Sequence, residues 1–169
     1  TFAEDLEALT GQRPQIVEGT KARPGSIVLA LGDQGNGPES YRLDVDRALT
    51  ITGTTVHGVF NGTRTVLQLL HQGESIPMGV VNDWPQYEVR SVLMDNTPRH
   101  FSLGWWENFF KQMSYFKLND TNLYLDGVGL DKGEMAAIDA DHQDVVALGA
   151  AADTGHLAPI RQQADAGNG

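Results

Sequence analysis

The sequence has no cysteine at all, which excludes a disulfide framework, a thiolate nucleophile and any Cys-based zinc or iron–sulfur centre. It leaves the compartment open, because disulfide-free proteins occur on both sides of a membrane. Basic residues are scarce as well: 12 Lys and Arg stand against 22 Asp and Glu, for a formal charge of −10. A surface of that sign repels phosphate backbones and anionic headgroups, so neither nucleic acid nor a membrane is an expected partner. No apolar run approaches the roughly 18 residues needed to span a bilayer. The opening Thr1-Phe2-Ala3-Glu4-Asp5 is acidic and lacks an initiating Met, and reads as a processed boundary with any export signal upstream, as in a secreted protein. There is no HExxH and no glycine-rich phosphate fingerprint, and His57, His71, His100, His142 and His156 lack the spacing of metal ligands. No metal and no cofactor is expected. Length is the last shortage: 169 residues suffice for one ordinary domain or two small ones, whereas a closed (β/α)8 barrel takes about 250.

What is present reads as two successive layers. Phe2, Leu6 and Leu9 fall at helical spacing until Gly11 and Pro14 stop them. Ile27-Val28-Leu29-Ala30-Leu31, set between Pro24-Gly25 and Gly32-Asp33, has the length and punctuation of a buried strand. Tyr41 to Asp46 alternates apolar and charged residues as a half-buried strand does, and Ala48 to Thr52 follows as its hairpin partner. Val56, Val59, Phe60, Thr63, Val66, Leu67 and Leu70 predict an amphipathic helix ending near Gly73. Gly58 and Gly62 leave bare backbone on one side of it, for close packing on the sheet. Asn82-Asp83-Trp84-Pro85 reads as a turn and a domain boundary, giving an α+β domain over residues 1–83.

Beyond that boundary, Val92-Leu93-Met94 closed by Asp95 and Asn122-Leu123-Tyr124-Leu125 closed by Asp126 suit parallel strands buried on both faces. Between them Ser102 caps a helix with Leu103, Trp106, Phe110 and Met113 on one face and Lys117 in its last turn. Strand, helix, strand is the unit of a parallel α/β fold, whose site forms at the carboxyl ends of the strands. Asp144 to Leu148 is a third candidate strand, Asp126 to Asp131 a turn, and Gln162 to Gly169 a frayed tail. The fold expected is thus a small α+β domain followed, over residues 84–169, by an incomplete α/β barrel segment of the TIM type.

Three stretches resemble a known family. Tyr41-Arg42-Leu43 followed by Gly58-Val59-Phe60-Asn61-Gly62-Thr63-Arg64-Thr65-Val66-Leu67-Gln68-Leu69-Leu70 is similar to the small domain that precedes the barrel in family 20 glycoside hydrolases, the β-N-acetylhexosaminidases. Asp83-Trp84-Pro85, then Arg90 to Asp95, Arg99-His100-Phe101 and Met113 to Asn119, resembles that family's first barrel strand, first helix and approach to the second strand. The resemblance implies that Arg90 reaches hydroxyls of a terminal N-acetyl sugar, a role its planar guanidinium suits. Asp95, Arg99 and His100 match positions near the family's active face, but the roles expected of them are structural, a salt bridge and a packed histidine. Farther on, Asp153 and His156 resemble the family's aspartate and Gly-His turn and are candidate sugar contacts, with one residue fewer between them. The partner implied is a glycan bearing N-acetylhexosamine.

The chain also departs from the family. The histidine-rich second strand and the tryptophan-bearing acidic loop are replaced by Thr121 to Gly129. Family members let the 2-acetamido oxygen attack the anomeric carbon while an aspartate orients it and the adjacent glutamate protonates the leaving oxygen. Here the one adjacent pair of Asp and Glu is Glu4-Asp5, on the first helix, so no catalytic residue is assigned. The expectation is a fragment or truncated relative of a β-N-acetylhexosaminidase, inactive as this chain alone, with a non-catalytic glycan- or protein-binding module as the alternative. Unpaired strands of such a piece are expected to self-associate through residues 90–130, with Val92, Leu93, Met94, Leu123 and Leu125 as contacts.

Overall fold

Helix α1, Phe2–Thr10, starts where the Thr1 hydroxyl accepts the Glu4 amide and stops at Gly11, whose φ of 74° suits a residue without Cβ. In this computed structural model the residues described are 1–17, 22–73, 75–95 and 101–124. They fall into two units, residues 1–86 and the segment beginning at Tyr87.

The first unit is a four-stranded mixed sheet carrying helices. Strands β1 (Ile27–Leu31), β2 (Tyr41–Val45), β3 (Leu49–Gly53) and β4 (Gly79–Asp83) lie in the order β1-β3-β2-β4. β2 runs antiparallel to both neighbours and β1 parallel to β3. The register sets Tyr41 opposite Gly53 and Leu43 opposite Ile51, and helix α2, Val56–Gln72, buries that face with Val59 and Val66 to complete the core. Thr55 caps α2 by accepting the His57 and Gly58 amides at 3.1 and 3.4 Å. A Cβ on Gly58 would collide with the Ser40 carbonyl oxygen and one on Gly62 with the Ile51 methyl, so both glycines serve close approach of helix and sheet. Arg64, buried on α2, donates to Asp5 of α1 at 2.9 Å and lies 4.6 Å over the Phe60 ring. Burial pulls its pKa down, and the Asp5 carboxylate opposes that shift and favours the charged form.

Two expectations are corrected in this unit. The apolar run of β1 is an edge strand rather than a buried one, with Leu29 53% and Leu31 62% exposed, because α2 covers β2 and β3 more fully than β1. Asn82 and Asp83 are strand rather than turn, paired with Arg42 and Tyr41; ladder bonds from β2 outweigh their local turn preference.

The second unit is built of β5 (Ser91–Asp95), α3 (Leu103–Tyr115) and β6 (Asp120–Tyr124), with β5 and β6 parallel and Leu93 opposite Asn122. Ser102 caps α3 by accepting the Trp105 amide. Trp106, Phe110 and Met113 form the core with Val92, Met94, Leu118 and Leu123. Leu103 is exposed, since it lies in the first turn beyond that core. Lys117 is not in the last turn: α3 ends at Tyr115, and Lys117 takes φ 58° so that the Leu118 amide can return to the Met113 carbonyl at 2.9 Å. β6 begins two residues earlier than the apolar run, because Asp120 and Thr121 pair with Ser91 and Val92. Val92, Met94 and Leu123 pack under α3, so of the contacts expected for self-association Leu93 alone among the described residues lies on an open face.

Candidate functional site

The parallel pair β5 and β6 has two faces of different chemistry. Val92, Met94, Thr121 and Leu123 turn toward α3, and the Thr121 hydroxyl donates to the Val92 carbonyl at 3.0 Å. The opposite face carries Ser91, Leu93 and Asp95 from β5 with Asp120 and Asn122 from β6, by the alternation of side chains along each strand. On it Asn122 Nδ2 donates to Ser91 Oγ at 3.2 Å, while Leu93 is 59% exposed.

Arg90 stands immediately before β5 and is tied to the segment entering β6. Its Nε donates to the Lys117 carbonyl and its Nη1 to the Tyr87 carbonyl, each at 2.8 Å. Asn119 completes the clamp: its Oδ1 accepts the Arg90 amide at 2.9 Å, its Nδ2 donates to the Glu88 carbonyl at 2.8 Å and its own amide donates to the Arg90 carbonyl at 3.1 Å. The guanidinium is thus held by two backbone oxygens. Asn119 was legible only as part of a family stretch. Its side-chain role depends on the register of two strands about thirty residues apart in sequence.

Arg90 and Asp95 sit at opposite ends of β5, about 16 Å apart at the rise of an extended chain. Asp95 is at the carboxyl end, where sites of parallel α/β folds form. Arg99, His100, Asp126, Asp153 and His156 lie outside the described residues, as do the third candidate strand and the tail. Of the tryptophans, Trp106 is fully buried and Trp84 is exposed. Trp105 stacks between Phe101 and Phe109 at centroid distances of 4.0 and 5.2 Å, so its ring faces are occupied by neighbours rather than open to a sugar.

The first unit holds a separate polar cluster that the sequence did not announce. Asn61 Nδ2 donates to Glu39 Oε2 at 3.0 Å, and His57 Nε2 lies 3.4 Å from the same oxygen. Asn61 is 2% exposed, and its Oδ1 is buried without a hydrogen-bond partner. Nearby the Tyr41 hydroxyl donates to Asp83 Oδ2 and shares a hydrogen bond with Thr65 Oγ1, both at 2.5 Å. Burial first, and the Asp83 carboxylate second, push the Tyr41 pKa up. The folded hydroxyl therefore keeps its proton to higher pH than the unfolded one, and its contribution to stability is lost as pH rises beyond the free value of 10.0. Urea midpoints of residues 1–86 measured from about pH 8 to about pH 11 should fall at the alkaline end, with a flatter profile in Tyr41→Phe. An unchanged slope in that variant would move the cause elsewhere.

Among the described residues no group of three or more His, Asp or Glu side chains could hold a metal ion, and no helix is long and apolar enough to cross a membrane. The sole adjacent Asp–Glu pair, Glu4-Asp5, has its aspartate on Arg64. What the open face of β5 and β6 offers is hydrogen bonding and charge, not an acid pair.

Similarity to known proteins covers the first unit and, in several relatives, extends beyond it. Residues 1–84 match the family described as Glycosyl hydrolase family 20, domain 2. Lacto-N-biosidase of Bifidobacterium bifidum is 34% identical over 85 residues, covering 49% of this chain and 8% of that protein. A putative beta-hexosaminidase of Pinctada maxima is 27% identical over 113 residues, covering 62% of this chain and 10% of that protein. Among solved structures, the GH20 beta-N-acetylhexosaminidase of Streptomyces coelicolor A3(2) is 28% identical with a TM-score of 0.60, over 74% of this chain and 28% of its own. A mutant Streptomyces plicatus beta-hexosaminidase in complex with GlcNAc shares the fold, with a TM-score of 0.71 at 23% identity over 86% of this chain and 36% of its own. The chain spans a tenth or less of the length of these curated relatives.

Proposed function

Because residues 1–84 of this chain belong to glycosyl hydrolase family 20, domain 2, we propose that the chain is a piece of a β-N-acetylhexosaminidase-type glycosidase. In this reading the small α+β domain is followed, over residues 84–169, by the opening strands of an incomplete TIM-type barrel. The longer enzyme hydrolyses terminal N-acetylhexosamine residues by substrate assistance, and this chain alone does not.

The observation that carries the reading is the open face of β5 and β6. Strands of parallel α/β sheets are covered on both faces, and a barrel achieves this by curling the sheet until the inner faces pack on one another. Here α3 covers one face, while Leu93 stands exposed between Ser91 and Asp95 on the other. That is the surface further strands of the same barrel would enclose. Arg90 is the sugar contact at the start of the first barrel strand, its guanidinium held by the Lys117 and Tyr87 carbonyls. Asp153 and His156 stand as two further contacts on the family pattern alone.

A glycosidase of this kind needs its protonating acid beside its orienting acid, and the sequence supplies no such pair in its second half. The pure chain is therefore expected to release no chromophore from an aryl N-acetylglucosaminide above the uncatalysed rate. Turnover that scales with chain concentration and survives Glu4→Gln/Asp5→Asn would overturn the reading, because it would require an acid pair assembled from residues distant in sequence.

A further inference from the structure

Strand β1, like β4 an edge of the four-stranded sheet, exposes its side chains and leaves its outward backbone groups without a partner strand among the described residues. Leu49 donates its amide to the Ser26 carbonyl and Gly32 donates its own to the Gly53 carbonyl. In a parallel ladder this assigns the even-numbered residues of β1 to β3 and turns the N–H and C=O groups of Ile27, Leu29 and Leu31 outward. The same three residues carry the exposed side chains, at 38, 53 and 62%. Among the described residues no strand pairs with that edge. The strand itself has no charge, no proline and no bulge, three devices that blunt natural edges.

We infer that β1 is an interface for a second copy of this chain, pairing antiparallel with its own counterpart about a two-fold axis at Leu29. The register is self-complementary, as a closed two-fold contact requires. Leu29 faces Leu29 of the second copy, and Ile27 faces Leu31, so every outward N–H meets a carbonyl and all these side chains lie on one side of a continuous sheet. Charge supports the same choice. A chain of net −10 repels its own copies, and repulsion is least where the surface carries no charge. The antiparallel register also leads the Arg23 end of one copy toward the Asp33 end of the other. The five-residue strand makes a small interface, so the dimer is weak and its population depends on concentration. This inference does not rest on the proposed glycosidase reading.

Sedimentation velocity of the full chain over a roughly hundredfold range of concentration tests it. A monomer–dimer equilibrium is expected, abolished in Leu29→Lys/Leu31→Lys and kept in Leu93→Lys, whose change lies on β5. Both double-variant positions are exposed, so circular dichroism should be unaltered. Amide exchange on the unaltered chain gives a second readout: Ile27, Leu29 and Leu31 should slow as concentration rises, while Val28 and Ala30 stay protected throughout. A strict monomer at the highest concentration, open-ended aggregates, association that survives the β1 variant, or association lost in Leu93→Lys would each overturn the inference. Should the double variant fail to fold, concentration-independent exchange at Leu29 would do the same.

Discussion

Gly58→Ala should destabilise residues 1–86 by about 3 kcal/mol or more, against the direction that helix propensity gives. In a helix interior alanine is favoured over glycine by about 1 kcal/mol, and a surface glycine on α2 would show that gain. Gly58 is buried, however, and a Cβ there would run into the Ser40 carbonyl oxygen, with the Ser40 carbonyl carbon at 3.2 Å and the Gly53 Cα at 3.3 Å. These are backbone atoms, so no side-chain rotation relieves the clash. Helix and sheet must separate, exposing Leu43, Ile51 and Val66, which are fully buried at the contact. Overpacking of a tight core costs about 1–3 kcal/mol, and more where the obstacle is rigid. Urea unfolding monitored by far-UV circular dichroism checks the sign: a midpoint equal to or above that of the unaltered chain would mean that α2 does not approach the sheet as described.

The second large effect is expected at Trp106, in the other unit. Its ring is fully buried, packed edge to face against Phe101, Trp105 and Phe109 at 5.0–5.9 Å and stacked on Phe110 at 5.9 Å. Trp106→Ala removes the largest side chain of a small core and leaves a cavity under α3, at a cost of about 3–5 kcal/mol. Because that core is small, loss of near-UV ellipticity and fast amide exchange across β5, α3 and β6 should result, while residues 27–72 keep their protection. Trp106→Phe separates packing from polarity. The indole Nε1 is buried without a hydrogen-bond acceptor, so the phenyl ring loses volume but also relieves an unpaired donor, worth about 1–3 kcal/mol. Its loss should therefore be well below that of the alanine variant; equal losses would show that the indole N–H has a partner.

The elements whose pattern is local were legible from sequence. Apolar spacing gave α2, spacing with the Ser102 cap gave α3, alternation gave β2 with β3 as its hairpin partner, and Gly58 with Gly62 announced close packing. Recognition of the family rested on the same stretches, and residues 1–84 match it. Where the sequence misled, the deciding contacts were remote. Asn82 and Asp83 look like a turn in isolation, yet β2 makes them strand. An all-apolar run such as β1 carries no mark of whether a helix will lie over it, and here α2 leaves it open at the edge.

The candidate site divides in the same way. Arg90 could be named from its neighbours in the chain, but the carbonyls of Lys117 and Tyr87 that fix its guanidinium, and the Asn119 side chain that closes the clamp, meet it only through the register of β5 on β6. The cluster of Glu39, His57 and Asn61 likewise exists only once the segment before β2 meets α2. Periodicity, caps and charge are properties of adjacent residues, and from them the sequence by itself determined the helices, most of the strands, the family, and a chain of −10 without thiols or an acid pair in its second half. Exposure, edge position and side-chain partners depend on which surfaces distant segments bury, and hydrophobic burial is non-directional and set by area. Only the tertiary structure could decide them.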